Sequence, residues 1–348
     1  MNKKLPYLIA LSALAVCLPA VSQAQGFVKG AARAVKGGKG AVKIAQTSID
    51  PGLKLRVERA IAEQRIKIRR GVEYQRTPQE AAQRALNVAI YRNESDLIKP
   101  LIARGAEINS FFLDGTTLLT GAVELGNLKT VKEILQNGAD INMPDRLSKT
   151  PLIMAAQKGN YDMVKFLLDN GAADINLPNH SGETPLIVVA KKGNYDMVKF
   201  LLDNGAKVDL QDAKGFTALM RTNNEKIAKL LLDKGADPNH QEEDGWTKLM
   251  YIANAGYKAD EEKTKALVDL ATLLLKNGAE VNLRNHHYAT ALILALDASN
   301  FALTKLLLEH GADPYMMDDH GRDAFDVATW GPNRHRDDLR RLVNSYKK

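Results

Sequence analysis

The chain has 348 residues, 45% of them hydrophobic and 26% charged, with a net charge of +7 and one cysteine. A lone thiol, Cys17, excludes an intrachain disulfide and a multi-cysteine metal centre, and no apolar stretch after the first two dozen residues is long enough to cross a bilayer. The positive charge is local: between Gln25 and Arg76 thirteen lysines and arginines face four acids, giving +9, whereas everything after Arg76 carries −4.

At the N-terminus, Lys3 and Lys4 precede an apolar run from Leu8 to Ala15, and Ser22-Gln23-Ala24 supplies small residues for cleavage. This pattern predicts a signal peptide over 1–24 and an exported, periplasmic protein, with secretion as the alternative. Leu14-Ala15-Val16-Cys17 approximates a lipoprotein attachment box, but Val16 is too large for the position before the cysteine. Residues 25–76 then form a basic arm. Its start, Gly26 to Ala45, is built from Gly, Ala, Val and Lys, and Pro51 interrupts the chain. Leu53, Val57, Ile61 and Ile68 fall on one face of a helix with arginines around them. Such a helix either packs on the following domain as a cap or attaches to an anionic membrane surface or wall polymer. Nucleic acid is not an expected partner of an exported chain.

The rest, 77–348, is periodic. Gly-Ala recurs at Gly105, Gly138, Gly171, Gly205, Gly235, Gly278 and Gly311, at spacings of 33, 33, 34, 30, 43 and 33 residues. Within the unit from Asp145 to Pro178, Thr150 is an N-cap and Pro151 a first helical residue. Leu152, Ile153, Ala155 and Ala156 form a short inner helix that Gly159-Asn160 ends. A second helix runs from Tyr161 to Asn170, and Gly171 is its left-handed C-cap. The string GNYDMVKFLLDNGA occurs twice, at Gly159 to Ala172 and Gly193 to Ala206. The 30-residue step removes about three residues from the inner helix after Thr217. The 43-residue step adds about ten near Gly256 to Lys265, expected as a charged surface bump. One unit cannot bury enough apolar surface alone, so the pattern requires stacking.

These units resemble the ankyrin repeat family. The family phrase T-P-L-H-x-A is present as Thr150-Pro151-Leu152-Ile153-Met154-Ala155 and, with one more residue, from Thr184 to Ala190. Weaker versions start at Thr117, Thr217, Thr247 and Thr290. G-A-D-x-N is present from Gly138 to Asn142 and from Gly235 to Asn239, and as Gly278 to Asn282 with Glu280. The family histidine after Leu is absent throughout, and apolar or Thr residues stand there. The resemblance implies an all-α solenoid of about seven repeats plus C-terminal capping helices, monomeric, with a protein partner. Pro78 to Arg104 reads as a degenerate first repeat, with Pro100 kinking its second helix. Gly321 to Ala328 and Asp337 to Tyr346 close the stack.

Catalytic signals are weak. Gly37-Gly38-Lys39-Gly40 lacks the spacing and the Ser or Thr of a phosphate loop. No cofactor or metal site is expected. His240 and His287 could meet on adjacent turns with Glu242 or Glu243, but exposed turn histidines are the simpler reading, as a solvated turn is for Asp318-Asp319. The resemblance places a binding groove along the turn tips and the free side of the inner helices. That maps onto Arg146, Lys149, Lys158, His180, Lys191, Lys192, Phe216, Arg221, Trp246, Tyr251, His286 and His287. Phe216 and Trp246 hold equivalent places before the helix-opening Thr of adjacent units, so their rings are expected to share one patch or to fold onto their own units. The early groove reads as basic and the later tips (Glu242, Glu243, Asp244) as acidic. The functional expectation is a non-catalytic protein-binding module of the envelope. The alternatives are an immunity or inhibitor protein that occludes a toxin or envelope enzyme, or a secreted effector acting on host proteins.

Overall fold

The computed structural model describes residues 50–69, 72–171, 174–255, 261–330 and 336–347. The expected signal peptide, the Gly- and Lys-rich start of the arm and residues 256–260 of the long step lie outside them. The compact unit that holds the repeats begins at Pro51.

Helix α1 (Pro51–Glu63) buries Val57 and Ile61 and packs on α2 (Pro78–Tyr91). The ion pairs Arg56–Asp96 and Arg104–Glu58 tie it to the first repeat. Ile68 does not continue that helix. It lies in β1 (Ile66–Arg69), paired antiparallel with β2 (Val72–Gln75), Ile66 opposite Gln75. Ile66-Lys67-Ile68-Arg69 alternates with a period of two and ends the helical pattern. This hairpin is the β addition to an otherwise helical fold.

The repeats form inner and outer helices in pairs. The inner helices are α2, α4 (Leu118–Glu124), α6 (Pro151–Lys158), α8 (Pro185–Lys192), α10 (Ala218–Arg221), α12 (Lys248–Asn254), α14 (Ala291–Asp297) and α16 (Ala324–Trp330). Their outer partners are α3 (Ile98–Ile102), α5 (Leu128–Gln136), α7 (Tyr161–Asp169), α9 (Tyr195–Asp203), α11 (Glu225–Asp233), α13 (Glu261–Lys276), α15 (Phe301–Glu309) and α17 (Arg336–Asn344). Seven pairs and a final capping pair are the architecture the Gly-Ala period predicts. No helix among the described residues is long and apolar enough to cross a membrane.

The caps are as periodic as the sequence. Threonines 117, 150, 184, 217, 247 and 290 each accept, at Oγ1, the N–H three residues on and so start the six inner helices α4 to α14. Asparagines 127, 160, 194, 224 and 300 do the same for five outer helices. Each satisfies one of the free amides of a first helical turn. Gly159 and Gly193, at φ +71° and +77°, close α6 and α8 in the left-handed region. Ala155, Ala156 and Ala190 are fully buried where inner helices approach one another. The residues in place of the family histidine, Ile153, Ile187, Met220, Met250 and Ile293, are buried too. Apolar burial therefore occupies that position.

Successive units are also clipped by side chains. Asn239 donates from Nδ2 to the Gly278 carbonyl (2.9 Å) and accepts from the Glu280 amide (2.7 Å); Asn282 does the same with Gly311 (3.2 Å) and Asp313 (2.9 Å). The closing asparagine of one G-A-D-x-N phrase thus holds the opening of the next.

Two expectations change. Pro100 does not kink a helix late in its course. A 3-10 turn, Ser95–Leu97, precedes α3, and Pro100 is the third residue of that helix. There its missing N–H would have had no helical acceptor. Most of the long step is helix rather than bump: α13 has 16 residues against nine in α11 and α15. Glu262 sits in its first turn, where an acid complements the helix dipole. The short step does shrink α10, to four residues.

Candidate binding face

Six of the fingers between an outer helix and the next inner helix close on the side chain of their first residue. Asp145 Oδ1 accepts from the amides of Leu147 (2.7 Å) and Lys149 (2.8 Å), Asp212 Oδ1 from Lys214 (2.9 Å) and Phe216 (3.1 Å), and Glu242 Oε1 from Asp244 (3.2 Å) and Trp246 (3.0 Å). Asn179, Asn285 and Asp318 repeat the pattern. Glu242 and Asp318 are therefore buried turn-closing groups, not solvated tip charges. A polar residue with glycine three positions on was the available signal.

This closure puts Phe216 and Trp246 at equivalent places. Their rings meet through a third, Tyr251 on α12: Phe216 lies 5.4 Å from Tyr251 at 42°, and Trp246 lies 5.1 Å from it at 34°. Arg221, the last residue of α10, covers the outer face of Phe216 with its guanidinium carbon 3.8 Å from the ring centroid, while its Nε donates to Asp212 Oδ2 at 2.7 Å. The result is a tilted ladder, Arg221–Phe216–Tyr251–Trp246, across two adjacent units. All four side chains are half-buried, and Trp246 also leans on the core. Burial, reinforced by the Glu242 and Asp244 carboxylates, pushes the Tyr251 phenol above its ordinary value, so the ring stays neutral. Cation–π stacking fixes the arginine plane, and the ladder offers an apolar platform with one cation and the exposed acids Glu243 and Asp244 beside it.

The same two units hold a residue that sequence reasoning missed. Lys248 occupies the place of the family proline, is only 3% exposed, and points back into the preceding unit. Its Nζ donates to the Met220 carbonyl (3.1 Å) and to Asn223 Oδ1 (2.9 Å). The amine thereby covers a carbonyl that the truncated helix α10 leaves open. Burial pushes its pKa down to about 8.

The other candidate residues are spread along the face. Arg146 lies over Gly115, and Lys149 and His180 flank the finger tips, His180 exposed. Lys158 pairs with Glu124 (3.0 Å), Lys191 with Glu183 (2.9 Å), and Lys192 donates to the Gln157 carbonyl. Burial works against ionising Glu183, but hydrogen bonds from Lys191 and Asn179 outweigh it and hold that carboxyl below its usual range. The early basic stretch is thus partly neutralised within the chain. His286 turns to Gly245 of the finger before, and His287 to Asp319 of the finger after, 2.9 Å away. His240 does not meet His287: its Nε2 lies 2.8 Å from the Gly215 carbonyl, one finger back.

Comparison with known proteins agrees with this architecture. A family model for ankyrin repeats in three copies matches residues 86–179, 119–212, 154–242 and 262–348. An ankyrin repeat protein of Acanthamoeba polyphaga mimivirus is 41% identical over 56 residues, 16% of this chain and 35% of that one. An ankyrin repeat-containing protein of Treponema pallidum is 44% identical over 55 residues, 16% and 18%. An ankyrin repeat and LEM domain-containing protein homologue of Caenorhabditis elegans is 44% identical over 61 residues, 18% and 9%. The alignments span about a third or less of those relatives. With the family model covering well over half of the sequence, the chain belongs to the ankyrin repeat family.

Proposed function

We propose that this chain is a non-catalytic binding module that holds a protein partner on its finger and inner-helix face, centred on the Arg221–Phe216–Tyr251–Trp246 ladder. Ankyrin repeats generally mediate protein–protein interaction. The observation that carries the specific reading is the joining of three aromatic rings and an arginine on adjacent units. Aromatic and arginine side chains in that setting are the usual anchors of an interface. The N-terminal apolar segment with Lys3, Lys4 and Ser22-Gln23-Ala24 supports export, and an envelope location would supply the partner.

The test compares capture from envelope extract by the unaltered protein and by a Phe216→Ala/Trp246→Ala variant of equal helical content. A specific partner should be lost from the variant at least about tenfold. Equal recovery of every captured protein would remove the ladder as the anchor. Cleavage after Ala24, read by N-terminal sequencing of the protein from source cells, tests export.

A further inference from the structure

The fourth residue of each of the six closed fingers lies in the left-handed region: Ser148 at φ +56°, Gly182 at +74°, Gly215 at +77°, Gly245 at +77°, Tyr288 at +56° and Gly321 at +70°. Glycine takes this conformation freely, whereas a tyrosine there is strained. Burial does not offset the strain, because Tyr288 is 54% exposed. A strained residue kept at an exposed place points to function rather than to folding.

The ring stacks on Arg284, whose guanidinium carbon lies 4.5 Å from its centroid. Arg284 also clips two fingers together: Nε donates to the Tyr288 carbonyl (3.1 Å) and Nη2 to the Met317 carbonyl (2.5 Å). One finger earlier a glutamine makes the same clip. Gln241 Nε2 donates to the Gly245 carbonyl (2.6 Å) and to the Arg284 carbonyl (2.9 Å). Glutamine and glycine thus suffice to build this turn, and the next finger carries a cation and an aromatic ring in their places. The clip uses two of the five N–H groups of Arg284, and the rest meet no carboxylate among the described residues. Met317, whose carbonyl takes the Nη2 bond, is itself 52% exposed, so a second apolar side chain stands on the neighbouring finger.

We propose that Arg284 and Tyr288 receive an acidic peptide segment of a partner protein, one in which a carboxylate stands next to a large apolar side chain. The carboxylate meets the free edge of the guanidinium, in its plane, through charge-assisted hydrogen bonds. The apolar side chain lies against the Tyr288 ring. Stacking on the clipped arginine holds that ring in place before binding, so little side-chain freedom is lost when the partner arrives. The left-handed tyrosine is the strain that presents a fixed ring at a turn. This assignment rests on the reading of the fingers as a binding face, but it uses none of the ladder residues.

Selection of random dodecapeptides displayed on phage against the whole chain tests it. The recovered peptides should share Asp or Glu beside Phe, Leu, Trp or Met. In fluorescence polarisation, a peptide of the consensus sequence should bind the Arg284→Gln and Tyr288→Gly variants at least about tenfold more weakly than the unaltered protein. The Phe216→Ala/Trp246→Ala variant should bind it undiminished. Gln241 and Gly245 show that both replacements suit the turn, so the two variants should melt within about 2 °C of the unaltered protein. Failure to recover peptides of that pattern, or undiminished binding by either variant, would reduce the pair to a clip between turns. So would a loss of binding that comes with a larger fall in melting temperature. Weakened binding by the Phe216→Ala/Trp246→Ala variant would place the peptide on the ladder, overturning this assignment and leaving the ladder reading intact.

Discussion

Replacing Lys248 by methionine keeps the length of the side chain and removes the amine. In the folded chain that amine titrates near pH 8, against an ordinary lysine value of 10.5. The folded state therefore gives up its proton first, and between pH 8 and 10.5 the unfolded state binds more protons. Stability from this group rises with pH across that window and is at its lowest below pH 8, where both states carry the charge. A difference of about 2.5 units corresponds to about 3 kcal/mol. Methionine leaves the Met220 carbonyl and Asn223 without this donor, at a cost of about 1–3 kcal/mol that does not vary with pH. The quantity to follow is the stability of the unaltered protein minus that of the Lys248→Met variant, from urea unfolding at pH 7, 8, 9, 10 and 10.5. Other lysines and tyrosines titrate in both proteins and cancel. The difference should climb by about 3 kcal/mol in favour of the unaltered protein from pH 7 to 10.5. A difference flat with pH would refute the reasoning, because it would mean that the amine keeps its water or its full charge in the fold.

Further outcomes follow from the fingers and caps. Gly182 sits at φ +74°, and a Cβ there would lie 2.3 Å from the Ala213 amide nitrogen of the next finger; at Gly205, at φ +89°, it would meet nothing within 4 Å. Gly182→Ala should therefore cost clearly more than the about 1 kcal/mol of left-handed strain expected for Gly205→Ala, as measured by thermal unfolding of the two variants. Thr184→Ala removes the acceptor for the Ile187 amide and should destabilise by about 1 kcal/mol, with Thr184→Ser close to unaltered. Glu242→Ala opens two amide bonds of its finger and should cost about 2 kcal/mol. In hydrogen exchange that loss should appear first at Asp244 and Trp246.

Much of this architecture is legible in the sequence because it is written locally and repeatedly. The Thr caps, the Gly-Ala turns and the alanines of the inner helices serve the same purpose in each unit, so one reading carries over to the next. Reading by type fails where a turn folds back on itself or a residue's neighbours lie in another unit. Glu242 looks like a surface acid beside Glu243 and Asp244, and only the closed turn shows that it faces inward. Asp318 is buried for the same reason. Lys248 looks exposed until the shortened α10 exposes the Met220 carbonyl to it. Ile68 fits a helical face by spacing, but the alternation around it belongs to a hairpin. The meeting of Phe216, Tyr251 and Trp246 was half legible: the equivalent places of two rings follow from the period, whereas Tyr251 as the bridge follows from the stacking of α12.

The central claim is that the finger and inner-helix face, rather than the outer helices, receives the partner. Site-specific photo-crosslinking in source cells addresses it directly, with the crosslinking side chain at Lys214, an exposed finger position next to the ladder, or at Lys229, exposed on α11. The same discrete adduct should form from Lys214 and be absent from Lys229. Adducts from Lys229 with none from Lys214 would contradict the account.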